Sequence, residues 1–248
     1  MIGIFDSGSG GLTVLEALRK RSPEADVVYF GDIGNAPYGS KSQEELIQLV
    51  TAGIKALHGL GAAEIITACN SAAPSMLLGA VPDARFIDMT RPAARAMRKH
   101  AGKRVLLMAT PATVASKMYT DALAVIVELD ELPISGLARA IEFDVPAEET
   151  RDIVRAALKE RAGETYDAIF LGCTHYPLVK DIIEEEARAL FGNILLIDPA
   201  EAVADEALER FETVGTGKLV FNISKDSEHF RKRAATLFGN ANYTITIT

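Results

Sequence analysis

The chain is poor in cysteine, in basic excess and in long apolar runs, and each shortage removes a class of protein. Only two cysteines, Cys69 and Cys173, occur in 248 residues. A disulfide-built secreted scaffold and a C-x-x-C redox pair are therefore excluded, and two free thiols are expected. Acidic residues outnumber basic ones 34 to 26, for a net charge of −8. Nucleic acid is not expected as a partner, because a polyanion must be met by a basic face. Apolar runs end after about six residues, far short of the roughly 20 a membrane span needs. Neither a basic n-region nor a long apolar h-region is visible at Met1-Ile2-Gly3-Ile4-Phe5-Asp6. A cytoplasmic protein with no membrane partner is the expectation.

What is present is the composition of a folded globular chain, 48% hydrophobic and 24% charged, long enough for one large domain or two lobes. Short apolar strand candidates alternate with longer helical patterns. The strands are read at Ile2 to Phe5, Val27 to Phe30, Glu64 to Ala68, Arg85 to Ile87, Val105 to Met108, Val125 to Leu129, Ala168 to Leu171, Ile194 to Ile197 and Lys218 to Ile223. Such alternation marks βαβ units around a mostly parallel sheet. Ser42 and Glu45 form a capping box before a helix that Gly59 and Gly61 end. His58 and His100 read as helix-end side chains. Ser227 to Phe238 is a further helix, and Thr244 to Ile247 alternates like a strand or frays.

Both cysteines stand where a short buried strand ends, in Glu64-Ile65-Ile66-Thr67-Ala68-Cys69-Asn70-Ser71 and in Asp167-Ala168-Ile169-Phe170-Leu171-Gly172-Cys173-Thr174-His175. Cys69 follows Asp6 by 63 residues and Cys173 follows Thr110 by the same interval, so the halves repeat at an offset of 104. Each half then closes with a similar strand, Phe86-Ile87-Asp88 or Leu196-Ile197-Asp198. The expected fold is α/β, two pseudo-symmetric doubly wound lobes with mostly parallel sheets and a ligand crevice between them. Residues 1–92 with a returning 203–248 form one lobe and 93–202 the other, joined at Met89-Thr90-Arg91-Pro92.

A thiol at a strand-to-helix junction lies near free N–H groups and a helix dipole, which favour the thiolate. Two acid/base groups facing each other suit one reaction well: a proton is taken from one face of a carbon and returned to the other. Racemisation or epimerisation needs that arrangement, whereas a hydrolase needs a single nucleophile. The bland alternative makes both cysteines small core residues. Asp6-Ser7-Gly8-Ser9-Gly10-Gly11-Leu12 adds a glycine-rich turn into a helix, suited to a carboxylate or phosphate. Its resemblance to a dinucleotide fingerprint, with Asp32 as the ribose-binding acid, fails at Thr13, where the third glycine is missing.

Around these, Pro37, Tyr38 and Gly39 occupy a loop that lends a hydroxyl or a close backbone approach, or is an ordinary turn. Thr110 and Thr113 supply hydroxyls in the second half, where Asp6 and Ser7 stand in the first. His175 is either a second acid beside Cys173 or its ion-pair partner. Asp6 assists Cys69, holds a substrate amine, or caps a helix. Zinc on Cys69, Cys173 and His175 is a rival reading, though it gathers only three ligands. Pyridoxal phosphate lacks a lysine at a matched strand end. A regulatory amino-acid binder is the remaining alternative.

The residues Ile4-Phe5-Asp6-Ser7-Gly8, Gly10 to Leu15, Tyr29 to Asp32, Pro37-Tyr38-Gly39, Ala68-Cys69-Asn70, Ala109-Thr110 with Thr113-Val114, and Leu171 to Leu178 carry a family resemblance. Ile197-Asp198 and Ser224 to Phe238 extend it over nearly the whole chain. The sequence resembles the glutamate racemases of the cofactor-independent aspartate/glutamate racemase superfamily. The resemblance implies two α/β lobes, interconversion of L- and D-glutamate without cofactor or metal, supply of D-glutamate for peptidoglycan and hence cell shape, and a homodimer. It makes Cys69 and Cys173 the paired bases and Asp6 and His175 their assistants. Ser7, Pro37, Tyr38, Gly39, Asn70, Ser71, Thr110, Thr113 and Thr174 become substrate-binding positions beside them. Aspartate or another acidic amino acid is the neighbouring substrate. Two departures stand out: Ser71 replaces the usual threonine, and Leu129 to Glu142 replaces the family's Cys-Pro to Val-Pro-Leu-Val-Glu segment. Leu132-Pro133 and Ile141-Glu142 align there only with gaps; Glu142 is the candidate for the family's extra acidic residue in this region, but it is not carried over as a site residue.

Overall fold

The computed structural model describes residues 1–76 and 85–248. In chain order the first part gives β1 (Ile2–Asp6), α1 (Leu12–Arg21), β2 (Val27–Gly31), α2 (Gln43–Gly59), β3 (Glu64–Thr67), α3 (Ala73–Met76), β4 (Arg85–Ile87) and α4 (Thr90–Met97). There follow β5 (Arg104–Ala109), α5 (Pro111–Ala115), α6 (Met118–Leu123), β6 (Glu128–Pro133), α7 (Leu137–Glu142), α8 (Ala147–Lys159), β7 (Ala168–Gly172), α9 (Lys180–Phe191), β8 (Leu195–Ile197) and α10 (Ala200–Arg210). The chain ends with β9 (Leu219–Ile223), α11 (Glu228–Phe238) and β10 (Tyr243–Ile247).

Two sheets result, six-stranded in the order β10-β9-β2-β1-β3-β4 and four-stranded in the order β6-β5-β7-β8. Every pairing is parallel. The run β2-β1-β3-β4 has the same order as β6-β5-β7-β8, so the halves repeat in space as in sequence. In each, the strand order reverses at the central strand, which opens a crevice beyond the strand C-termini.

Alternation along the central strands divides the core. Ile2 and Ile4 of β1 and Val105, Leu107 and Ala109 of β5 enter one cluster, which also takes α1, α4, α10 and α11. Phe5 faces α2 on the other side of its sheet, while Leu106 and Met108 face α8 and α9. Strands buried on both faces read as unbroken apolar runs, and a period of two sorts them. The first cluster draws on both sheets, so the two halves share a core.

The structure corrects two sequence expectations and decides a third. The sixth strand was expected at Val125 to Leu129 and runs instead over Glu128–Pro133. Val125 is 95% exposed, and β6 is an edge strand, where polar residues and a terminal proline are tolerated. Met89-Thr90-Arg91-Pro92 lies between β4 of the first sheet and β5 of the second, but it is helical rather than extended, because Thr90 opens α4. Asp88 Oδ1 accepts from the backbone N–H of Thr90 at 2.6 Å and so starts that helix, and Pro92 fits in a first turn, where its missing N–H is no loss. The C-terminal alternation is a true strand, since β10 pairs with β9 along its whole length. The Ser42–Glu45 capping box forms in both directions.

Candidate active site

All the singled-out stretches meet beyond the ends of β1, β3, β5 and β7. The ladders refine the internal repeat. Phe5 lies level with Thr67, 62 residues on, whereas Ala109 lies level with Gly172, 63 on. Carried past the strand ends, the registers set Ser7 opposite Cys69 and Thr110 opposite Cys173. Ser7, and not Asp6, is thus the spatial counterpart of Thr110, and Asp6 sits one residue deeper.

Cys69 is buried, with Sγ 3.6 Å from Ser7 Oγ. Burial pushes its thiol up to about 12, and the neighbouring Asp6 carboxylate adds to the shift. Asp6 is wholly buried; its Oδ1 accepts from the Gly8 N–H at 2.8 Å and its Oδ2 from Thr174 Oγ1 at 3.2 Å. Desolvation raises the Asp6 carboxyl above the usual range, while His175 opposes it.

Cys173 is the matching buried thiol, 3.8 Å from His175 Nδ1. The other ring nitrogen, Nε2, lies 2.7 Å from Glu142 Oε2. Burial works to lower the His175 pKa, but its hydrogen bonds to Cys173 and Glu142 prevail and raise it to about 10. Glu142 is 2% exposed. Desolvation works to raise its carboxyl, yet bonds from His175 and Ser9 hold it below the ordinary glutamate value. The Ser9 N–H donates to Glu142 Oε2 at 2.9 Å and the Ser9 hydroxyl at 2.6 Å. The glycine turn has to be bare, because a Cβ at Gly10 would stand 2.6 Å from His175 Nδ1, and one at Gly8 would stand 2.8 Å from Glu142 Oε2.

Neutral groups complete the ring. Ser71 Oγ, Thr110 Oγ1 and Thr113 Oγ1 form a triangle with edges of 2.8, 3.0 and 3.3 Å. Thr110 is also the N-cap of α5, accepting from the Thr113 N–H at 3.2 Å. Gly39 approaches it so closely that a Cβ there would lie 2.8 Å from Thr110 Cβ. A cavity of about 230 Å³ opens beside them, lined by Pro37, Gly39, Thr110 and Arg139 among others. The Asn70 carbonyl oxygen takes the Tyr119 hydroxyl. Its amide nitrogen has no partner among the described residues, leaving a buried donor for a ligand carboxylate.

Thirteen expected positions therefore gather in one place, but one of them, Tyr38, uses its group differently from expectation. The Tyr38 hydroxyl donates to Asp32 Oδ2 at 2.6 Å, so from that loop it is Gly39 that reaches the crevice. Asp32 also accepts from Asn35 and Ser224, which occupies the acid a nucleotide ribose would require. Among the described residues no group of three or more His, Cys, Asp or Glu is placed to hold a metal ion, and no helix is long and apolar enough to cross a membrane. The sequence does not single out Ser9 or Arg233 as site residues, and it offers Glu142 only as an uncommitted candidate for the family's extra acidic residue. Ser9 lies inside the recognised glycine turn, and the gapped alignment around Ile141-Glu142 keeps Glu142 from being assigned. Arg233 gave no signal, since it looks like its neighbours Arg231 and Lys232 on the polar face of α11.

Comparison with known proteins agrees with this geometry. The model of the Asp/Glu/Hydantoin racemase family matches residues 12–207. The glutamate racemase of Jannaschia sp. (strain CCS1) is 34% identical over 262 residues, covering 96% of this chain and 95% of that protein. The crystal structure of glutamate racemase isoform RacE1 from Bacillus anthracis superposes with a TM-score of 0.85 at 28% identity, covering 100% of this chain and 97% of that one. The aspartate racemase of Picrophilus torridus shares the fold at a TM-score of 0.60 and 23% identity, over 84% of this chain and 92% of that one.

Proposed function

Because the chain belongs to the Asp/Glu/hydantoin racemase family, we propose that it interconverts L- and D-glutamate by proton transfer between two cysteines, without a cofactor. The observation that carries this reading is the pair of buried thiols after the matched strands β3 and β7, each with its own acid/base neighbours. Glutamate enters with its Cα between the sulfurs. One thiolate removes the α-proton, and the opposite thiol delivers a proton to the other face.

The surroundings make the two sides unequal. Cys69, buried beside the Asp6 carboxylate, rests as the thiol. Cys173 faces an imidazole that Glu142 keeps protonated, so it is the sulfur whose negative charge has a cation to meet. The roles exchange in the reverse direction. The hydroxyls of Ser71, Thr110 and Thr113 with the Asn70 amide are neutral donors for the substrate carboxylates. Asp6, tied to Thr174 across the crevice, lies within reach of the substrate ammonium. Neutral donors suit a site that must hold the dianion formed when the α-proton leaves.

Support for glutamate over aspartate comes from the names and closer likeness of the relatives. The test is a coupled assay for D-glutamate formed from L-glutamate, with L-aspartate run in parallel. Cys69→Ala and Cys173→Ala should each abolish racemisation, and normal turnover in either would sink the two-base mechanism. Activity should persist in chelator and in colourless protein. Faster turnover of aspartate would favour the second reading. With the same family support, we propose that the protein works as a cytoplasmic homodimer supplying D-glutamate for peptidoglycan.

A further inference from the structure

Arg233 lies on α11, in the C-terminal segment that returns to the first sheet, yet its guanidinium reaches the second half. Its side chain is only 14% exposed. Nη1 donates to Ser9 Oγ, Nη2 donates to the carbonyl of Ile141 at 2.8 Å, and Nη1 stands 3.9 Å from Glu142 Oε2.

Donor counting then fixes where the protons sit. A guanidinium only donates, so Ser9 Oγ accepts from Arg233, and the single hydroxyl proton of Ser9 must point at Glu142 Oε2, 2.6 Å away. That oxygen also receives the Ser9 N–H. With two donors already on it, Oε2 is an acceptor, and His175 Nε2 at 2.7 Å has to be the donor. The ring is thereby held with Nδ1 toward Cys173. Among the described residues nothing equivalent stands behind Cys69, whose neighbours include Ser7 and Asp6.

We propose that Arg233 is a positioning residue for proton transfer at Cys173 alone: it aims the Ser9 hydroxyl and clamps the backbone at Ile141, and so holds Glu142 and His175 in the alignment that sulfur uses. The inference rests on the racemase reading. Arg233→Met keeps the length of the side chain and removes the two-pronged donor. It should lower kcat about tenfold, the size expected for losing a charged hydrogen bond in a buried network.

The deciding readout is the α-deuterium isotope effect measured separately from L- and D-glutamate. Slowing transfer at one sulfur makes that step limiting in both directions. The isotope effect rises for the enantiomer whose proton Cys173 removes and falls for the other. A loss of rate with both isotope effects unchanged, or changed equally, overturns the proposal. Should Arg233→Met fail to fold, Arg233→Lys retains the cation without the fork and should show the same divergence at smaller amplitude; no divergence there also overturns it. If the unaltered enzyme racemises neither glutamate nor aspartate, it is the racemase reading that fails, and the two failures are distinguishable.

Discussion

At the scale of single residues, the surroundings of His175 make a testable link between the site and stability. Its folded pKa of about 10 lies above the ordinary 6.5. A histidine whose pKa is raised by folding contributes stability that is complete below about 6.5 and is lost as pH climbs through about 10, because between those values only the native state keeps the proton. Cys173 and, after it, Glu142 do the raising, and Glu142→Gln removes the charge of the second of these partners. Thermal melting between pH 6 and 10.5 should therefore fall less steeply in that variant than in the parent, and an unchanged slope would mean that Glu142 is not what holds the proton. Cys69 offers a second check. With its thiol raised to about 12, almost none is thiolate at pH 8, and alkylation follows the thiolate. In ligand-free protein, mass spectrometry should find Cys69 carboxamidomethylated at least about tenfold more slowly than a free thiol of pKa near 8.5.

At the scale of elements, α2 shows local signals and packing acting on the same helix. Its start was legible, since Ser42 and Glu45 form the box that their spacing predicts; Ser42→Ala should cost about 1 kcal/mol in denaturant unfolding. Its middle was not. Gly53 looks like a helix-weakening residue that alanine would improve, but a Cβ there would stand 2.2 Å from the Phe5 ring of β1. Gly53→Ala should thus destabilise by about 1–3 kcal/mol, as overpacking does, and a gain in stability would show that the helix can shift away from β1. The sixth strand illustrates the converse case. Apolar content placed it at Val125, but an edge position lets Glu128 to Pro133 pair with β5 despite four acidic or proline residues among six. Edge strands bury one face poorly, so their hydrophobic pattern is weak.

At the scale of the molecule, the site draws on both sheets and closes through links such as Ser71 to Thr110, Thr174 to Asp6 and Ser9 to Glu142. A ligand bound across it should stabilise the whole: L-glutamate at a hundred times its Kd should add about 2.7 kcal/mol. The rise in melting temperature should shrink in Thr110→Val, which loses both the α5 cap and one vertex of the hydroxyl triangle. The sequence by itself determined the parallel α/β class, the internal repeat and the two thiols with their hydroxyl neighbours. These follow from short unbroken apolar runs between helical patterns, from spacing and from residue chemistry at strand ends, all of which can be read along the chain. Only the tertiary structure decided that Ser7 is the counterpart of Thr110, that Tyr38 serves Asp32, and that Glu142 and Arg233 stand behind His175. Those facts depend on sheet register and on helices that meet from opposite ends of the chain. A charged side chain reads the same on a solvated helix face and in a buried network until its neighbours are in place.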